Sequence, residues 1–139
     1  MNEPLHLILA NASLAHQKKC RQQFQAMNLS DGQPKVLSIL SDHEGVVQKE
    51  LASICHVEPA TMTILLKKMQ SDGLIEKTPV SVSGGKRAFR IYLTDKGHQM
   101  SAAVNQIMED AKQLAFMGFT DEERKLFYVL IERLTQNLE

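Results

Sequence analysis

Residues 46–73, VVQKELASICHVEPATMTILLKKMQSDG, decide the fold that we expect for this chain of 139 residues. Apolar residues recur at helical spacing on both sides of a short gap at residues 56–58, which predicts two consecutive helices. Pro59 suits the first position of the second helix, because its φ is already helical and it has no N–H to leave unpaired. Gly73 suits the left-handed residue that ends such a helix. The stretch therefore predicts a helix-turn-helix.

The second of these helices has two different faces. An apolar stripe is expected to enter the core, and it consists of Met62, Leu65, Leu66 and Met69. The opposite face carries hydroxyl, apolar and then cationic side chains: Thr61, Thr63, Ile64, Lys67, Lys68 and Ser71. Early residues of such a helix meet base edges when it lies in a major groove, and lysines a turn later reach phosphates. Simple exposure to solvent would also suit this face.

A β-hairpin is predicted directly after that helix. Residues 74–78 form its first strand, and RAFRIYLT, residues 87–94, forms its second, half-buried strand. Alternating apolar residues of the second strand are expected to face the core: Phe89, Ile91 and Leu93. Two glycines supply positive φ values at the tip, and Lys86 and Arg87 follow them. An arginine there can enter a narrow minor groove, where the potential is most negative.

Two further helices are expected before the helix-turn-helix. Residues 4–28 have the apolar spacing of one long helix. Ser30 and Gln33 are three residues apart, as in a capping box, and Pro34 falls in the first turn of the next helix. The inward residues of that helix are expected to be Val36, Leu37 and Leu40.

Two helices are expected after the hairpin. Thr94 caps a long helix that ends near Phe116, and Thr120 and Glu123 form a capping box for the last helix. The last helix repeats leucine every four residues, at Leu126, Leu130, Leu134 and Leu138. The expected fold is therefore mostly α with a small β-hairpin wing, in the order four helices, hairpin, two helices.

The charged residues are unevenly distributed along a chain whose net charge is zero. Residues 1–60 have a net charge of −1, residues 61–90 a net charge of +4, and residues 91–139 a net charge of −3. A polyanion would be attracted to the middle of the chain and repelled by its end. A window of this net charge also arises by chance fairly often, so the gradient alone is only a weak signal for a nucleic acid.

The first ten residues, the lack of a long apolar stretch and the two cysteines all bear on the cellular compartment. The first ten residues, MNEPLHLILA, lack the basic start and apolar run of a signal peptide. No stretch approaches the roughly 20 apolar residues of a membrane span. Cys20 and Cys55 do not make a disulfide scaffold and suit a reducing compartment. We therefore expect a cytoplasmic protein.

Three stretches resemble the MarR type of winged helix-turn-helix transcriptional regulator: LSDGQPKVLSIL, KELASICHVEPATMTILLKKMQSDGLIEK and RAFRIYLTDKG. The resemblance spans nearly the whole chain and is most specific in the central block. It implies an obligate homodimer that binds a palindromic operator, usually as a repressor, and that a small molecule or an oxidant often releases. It implies a single domain over residues 1–139, with a winged helix-turn-helix DNA-binding lobe at 30–94 and a helical dimerisation lobe at 4–28 and 95–138.

The resemblance also implies where DNA is bound. Residues 59–63 match the start of the recognition helix, and Arg87 matches the wing arginine that enters the minor groove. Ile64 stands where the family commonly has arginine, and Gly85 where it commonly has an aspartate that fixes the wing arginine. Isoleucine cannot read guanine and favours an apolar contact such as a thymine methyl. The expected DNA contacts are Pro59, Ala60, Thr61, Thr63, Ile64, Lys67, Lys68, Lys86, Arg87 and Arg90.

Cys20 raises two alternative roles. It lies among Lys18, Lys19 and Arg21, which would lower the pKa of its thiol and make it an oxidant sensor. A free, unreactive cysteine explains it more simply. His16 is four residues away, but two ligands are too few for a structural zinc site. We expect no metal and no cofactor.

We therefore expect a sequence-specific DNA-binding regulator. An enzyme is not expected, because the chain has neither a glycine-rich phosphate loop nor the histidine pair of a zincin. The expected partners are double-stranded DNA and a second copy of the chain, together with an effector whose site the sequence does not identify. Two alternatives stay open: a winged-helix protein-interaction module with little specific DNA binding, and a ligand or redox receptor.

Overall fold

The computed structural model describes residues 2–81, 84–85 and 87–139. Within them, the helices are α1 (Leu5–Ala26), α2 (Gln33–Leu40), α3 (Gln48–Cys55), α4 (Pro59–Ser71), α5 (Asp95–Ala115) and α6 (Asp121–Leu138). The strands β1 (Ile75–Ser81) and β2 (Arg87–Leu93) stand between α4 and α5. The predicted order of elements and the predicted mostly-α fold with a hairpin wing are confirmed.

One continuous core joins α2, α3, α4, the hairpin and α5. It consists mainly of aliphatic and methionine side chains that are almost fully buried: Val36, Leu37, Leu40, Leu51, Met62, Leu66, Met69, Ile75, Ile91, Leu93 and Val104. In α4 the buried residues recur at spacings of four and three, which is why one face of a helix can supply them all. Each fully buried side chain of this size contributes about 1.5–3 kcal/mol through burial.

The helix ends follow the predicted local signals in most places. Pro59 begins α4, and Gly73 follows it with a φ of +75°. Thr94 Oγ1 accepts a hydrogen bond from the Gly97 N–H at the start of α5. The capping box of α6 is complete, because Thr120 and Glu123 each bond the backbone N–H of the other.

The predicted capping box of α2 is only half present. The Gln33 side chain accepts from the Ser30 N–H at 3.0 Å. In the reverse direction the Gln33 N–H donates to the Ser30 carbonyl oxygen, not to its hydroxyl. Gly32, with a φ of +91°, occupies the N-cap position instead. Pro34 lies in the first turn as predicted.

The wing is an antiparallel hairpin whose register runs from Ile75 opposite Leu93 to Ser81 opposite Arg87. Its first strand is longer than predicted. The prediction that Phe89 faces the core is wrong, because this side chain is 38% exposed. The core ends at Ile91, and the hairpin continues past it into solvent. Phe89 instead lies 5.9 Å from the Lys77 ammonium nitrogen.

A third extended segment, residues 45–47, pairs with the outer edge of β2. The Gly45 N–H donates to the Ile91 carbonyl at 2.8 Å, and the Ile91 N–H donates to the Val46 carbonyl at 3.0 Å. This pairing joins the wing to the segment that leads into α3. Gly97 fixes the other side of the wing base, because a Cβ there would overlap the Leu74 carbonyl oxygen.

The first and last helices, α1 and α6, bury far less of their surface than the helices and strands that form the core. α6 contains no buried residue, and in α1 only Cys20 is buried. Large apolar side chains on both helices are exposed: Leu5, Leu7, Ile8, Leu14, Leu126, Phe127, Tyr128, Val129, Leu130, Ile131 and Leu138. In the part of the chain that the structure describes, no helix combines the length and apolar character needed to cross a bilayer.

Candidate nucleic-acid interface

The outer face of α4 is largely exposed over its first two turns. Residues 59–66 contain no charged and no amide side chain, only two hydroxyls and apolar groups. Ile64 is 70% exposed, an unusual position for a large aliphatic side chain. The other predicted contact residues of this helix are also exposed: Pro59, Ala60, Thr61, Thr63, Lys67 and Lys68. The structure thus gathers them on one accessible surface.

The Thr63 hydroxyl is engaged in two hydrogen bonds. It donates to the Pro59 carbonyl one turn earlier at 3.0 Å. It accepts from the Gln48 side-chain nitrogen, also at 3.0 Å. Gln48 is the first residue of α3 and was not among the predicted site residues. The sequence offers no signal for this pair, since the two residues are 15 apart and on different helices.

The two lysines of α4 have different surroundings. The Lys68 ammonium lies 3.9 Å from the Asp72 carboxylate, and both side chains are about half exposed. An exposed i,i+4 pair of this kind contributes only about 0.3–0.5 kcal/mol. Lys67 forms no ion pair with any described residue. Both ammonium groups thus remain available to an anion.

Arg87 and Arg90, the two wing arginines among the predicted contacts, have different surroundings. Arg87 is the exposed first residue of β2, next to the glycine tip. Gly84 and Gly85 at that tip have φ values of +87° and +75°, as predicted. Arg90 lies further in, and its guanidinium donates to the Gly45 carbonyl at 2.8 Å. Arg90 therefore ties the wing to the segment before α3. The predicted contact Lys86 lies outside the described residues.

A carboxylate and a histidine close the base of the wing. One Glu44 oxygen accepts from the Leu93 N–H at 2.8 Å, and the other lies 2.9 Å from His98 Nε2 in the first turns of α5. The hydrogen bond to Glu44 raises the pKa of His98. Partial burial works to raise the pKa of Glu44, but its bonds with His98 and the Leu93 N–H outweigh this and lower it. Neither residue was among the predicted site residues.

Cys20 does not have the surroundings of a reactive thiol. It is 3% exposed, and burial raises the pKa of its thiol although Lys19 acts in the opposite direction. Burial therefore outweighs the effect of the neighbouring cation that the sequence pointed to. Cys20 borders a cavity of about 510 Å³ between α1, the start of α2 and Met108 of α5. His16 borders the same cavity.

The chain is similar in sequence to known transcriptional regulators. The model of the MarR family matches residues 29–81, from just before α2 to the end of β1. The uncharacterized HTH-type transcriptional regulator YybA of Bacillus subtilis is 27% identical over 84% of this chain and 77% of its own length.

Two solved structures share the fold over nearly the whole chain. The MarR protein from Peptoclostridium difficile superposes with a TM-score of 0.88 at 22% identity, covering 99% of this chain and 89% of that one. The S. aureus MepR protein, solved as a complex with DNA, superposes with a TM-score of 0.88 at 18% identity, covering 99% of this chain and 100% of its own. The chain is therefore similar to MarR-family transcriptional regulators in its central block, and it shares the winged helix-turn-helix fold of these structures.

Proposed function

We propose that this chain is a repressor that binds a palindromic DNA operator as a homodimer. The observation that carries the proposal is the outer face of α4, which exposes Thr61, Ile64 and Lys67 without covering them with any part of the described chain. A helix exposed in this way, with a hairpin beside it, suits the major groove and the neighbouring minor groove. The fold shared with the S. aureus MepR–DNA complex supports this use of the helix.

Each part of the surface has its own role in the proposal. Residues 59–64 meet base edges, because they form the exposed first turns of α4. Lys67 and Lys68 follow about one turn later and bind phosphates, which sets affinity without sequence preference. Arg87, with Lys86 beside it in sequence, enters the minor groove. Arg90 acts indirectly, because its bond to the Gly45 carbonyl positions the wing.

The terminal helices support a homodimer. α6 buries none of its side chains within the chain, and its exposed apolar residues cover much of its circumference. An apolar surface of this extent is unfavourable in water and is typical of an interface. We infer that residues 4–28 and 95–138 form a dimerisation lobe and that residues 30–94 form the DNA-binding lobe. Two-fold symmetry then requires two half-sites roughly 10 bp apart.

The cavity beside α1 supports a small-molecule effector. It lies where the dimerisation lobe meets the DNA-binding lobe, and Phe24 and Met108 give it an apolar wall. Arg21 and Asp31, which border the same cavity, lie 3.7 Å apart and bridge the two lobes. A ligand there would alter how α2 sits on α1. The burial of Cys20 makes release by oxidation of that thiol the less favoured signal.

The test is selection of duplexes from a random-sequence pool by the purified full-length chain. Fluorescence anisotropy of the enriched duplex and of a shuffled control follows, at low and near-physiological salt, because affinity without salt dependence is uninterpretable. We expect a near-palindromic duplex that keeps its preference at the higher salt. Weak binding that salt abolishes for every duplex would contradict the proposal and favour a protein-interaction module.

Two variants separate the proposed roles within that assay. Lys67→Ala is expected to weaken binding to all duplexes and to reduce the salt slope by about 1, because it removes one phosphate contact. Thr61→Ala is expected to change the preferred sequence and leave the salt slope unchanged. If both variants behave alike, the assignment of base and phosphate contacts is wrong.

A further inference from the structure

The bond between Gln48 and Thr63 determines which groups the recognition surface can offer to a base. A threonine hydroxyl has one proton and two acceptor positions. The Thr63 proton is used on the Pro59 carbonyl, so the hydroxyl can only accept from Gln48. This fixes the orientation of the Gln48 amide, with its nitrogen toward Thr63.

The orientation leaves Gln48 with a specific pair of free groups. Its amide nitrogen has two protons and uses one on Thr63. The second proton and the carbonyl oxygen make no hydrogen bond to any described residue. One donor beside one acceptor is the arrangement with which glutamine binds N7 and N6 of adenine. Gln48 is half-buried, which limits the motion of the amide.

The side chains next to this amide are apolar. The Thr63 hydroxyl uses its only proton on the Pro59 carbonyl and accepts from Gln48, so it cannot donate to a base, and its methyl group remains as an apolar contact. Ile64 follows it and is 70% exposed. No arginine, lysine or amide stands among residues 59–66 to bind guanine. Aliphatic groups of this kind contact the methyl group of thymine.

We propose that Gln48 is a base-reading residue, held in place by Thr63, and that together with Ile64 it selects A·T pairs in each half-site. Gln48 binds adenine through its free N–H and carbonyl oxygen, and Ile64 contacts the methyl group of a thymine. The inference rests on the proposed DNA binding and names the bases which that same surface reads. It assigns a reading role to α3, a helix outside the predicted contact set.

The first test changes one chemical group of a base at a time and leaves the protein unchanged. In the enriched duplex, each thymine of a half-site is replaced in turn by deoxyuracil, which removes only the methyl group. Each adenine is replaced by 7-deazaadenine, which removes only the N7 acceptor. We expect about a four-fold loss of affinity at one or two thymine positions, as one buried methyl implies. For one adenine we expect a loss of about five-fold or more.

The second test assigns those losses to residues. Ile64→Ala should no longer distinguish thymine from deoxyuracil, and Gln48→Ala should no longer distinguish adenine from 7-deazaadenine. Thr63→Val keeps the shape of the side chain but removes the acceptor that holds Gln48, so it should reduce the adenine preference. The matched control is Gln70→Ala, an exposed glutamine at the far end of α4, which should keep both preferences.

The outcomes separate this inference from the proposed function. Salt-resistant binding of one duplex that ignores both atomic changes would overturn the inference and leave the DNA-binding proposal standing. Enrichment of G·C pairs at the sensitive positions would also overturn it. If selection yields no preferred duplex at all, both proposals fall together.

Discussion

The DNA-binding lobe and the terminal helices differ in how far the chain covers its own apolar surface. In α4 the residues Met62, Leu66 and Met69 are fully buried, and the only large apolar side chain left exposed is Ile64 on the outer face. In α6 no residue is buried, and seven large apolar residues are exposed. The first lobe covers its apolar surface within one chain, whereas the terminal helices leave theirs exposed. The single exposed side chain of α4 fits the proposed DNA contact, and the exposed apolar surface of α6 fits the proposed subunit interface.

The largest effect is expected inside the DNA-binding lobe. Leu66→Ala should lower the free energy of unfolding by about 2–5 kcal/mol, because it removes a fully buried side chain and leaves a cavity. Urea unfolding at a fixed protein concentration measures it. Ile64→Ala, two residues away, is the control and should change stability by less than about 0.5 kcal/mol. Similar losses for both variants would remove the distinction between the two faces of α4.

The second-largest effect concerns self-association through the exposed apolar surface of α6. Leu130→Glu places a charge in the apolar surface of α6 and should weaken self-association by about 2–4 kcal/mol, the size of a substituted interface hot spot. Sedimentation velocity across a concentration series measures the monomer–dimer equilibrium. Gln136→Glu adds the same charge at an exposed polar position of α6 and is the control. A wild-type chain that is monomeric at all concentrations would contradict the dimer directly.

A smaller loss of stability is expected on substituting Gly97, opposite in sign to the usual effect of such a change in a helix. An alanine in place of a helical glycine ordinarily stabilises a protein by about 0.5–1 kcal/mol. Gly97→Ala should instead destabilise by about 1–3 kcal/mol, because the new methyl group overlaps the Leu74 carbonyl where α5 meets the wing. Thermal unfolding gives the sign. A higher melting temperature than that of the wild type would show that the wing base tolerates a side chain there.

The smallest effect concerns pH at the pair of Glu44 and His98. The folded-state pKa of His98 lies above its ordinary value of 6.5, so its contribution is full below 6.5 and is lost as pH rises through the folded pKa. The folded-state pKa of Glu44 lies below 4.5, so its contribution is full above 4.5 and is lost as pH falls through the folded pKa. The pair is therefore strongest between about pH 4.5 and 6.5.

NMR titration of the His98 ring measures this directly. The titration midpoint in the wild type should exceed that of the Glu44→Gln variant, in which the carboxylate is absent. His6, on the exposed start of α1, serves as the internal reference because it is remote in sequence from the substitution. Identical His98 midpoints in the two proteins would mean that the Glu44 carboxylate does not stabilise the protonated ring of His98.

The sequence predicted the features that depend on neighbours along the chain. Helical periodicity identified the buried stripe of α4, and the threonine and glutamate of the α6 capping box were recognised from their spacing. These signals are local, since helix geometry brings residues three or four apart onto one face. The half-formed capping box of Ser30 and Gln33 shows the limit, because Gly32, with a positive φ, occupies the N-cap position instead.

The features that the sequence did not predict arise from contacts between distant segments. Gln48 meets Thr63 across two helices, and Arg90 reaches Gly45 across 45 residues. The burial of Cys20 also comes from tertiary packing, and it raises the pKa of the thiol although Lys19 acts to lower it. In each case the residue type permitted several roles, and only the fold selected one.

Hydroxyl-radical footprinting of the full-length chain on its enriched duplex tests the central claim most directly. It reports both lobes at once, because the pattern depends on the helix in the groove and on the symmetry of the dimer. We predict two equivalent protected patches related by two-fold symmetry, with centres roughly 10 bp apart. A single patch, or uniform weak protection along the duplex, would contradict the account of a dimer that places one α4 helix in each half-site.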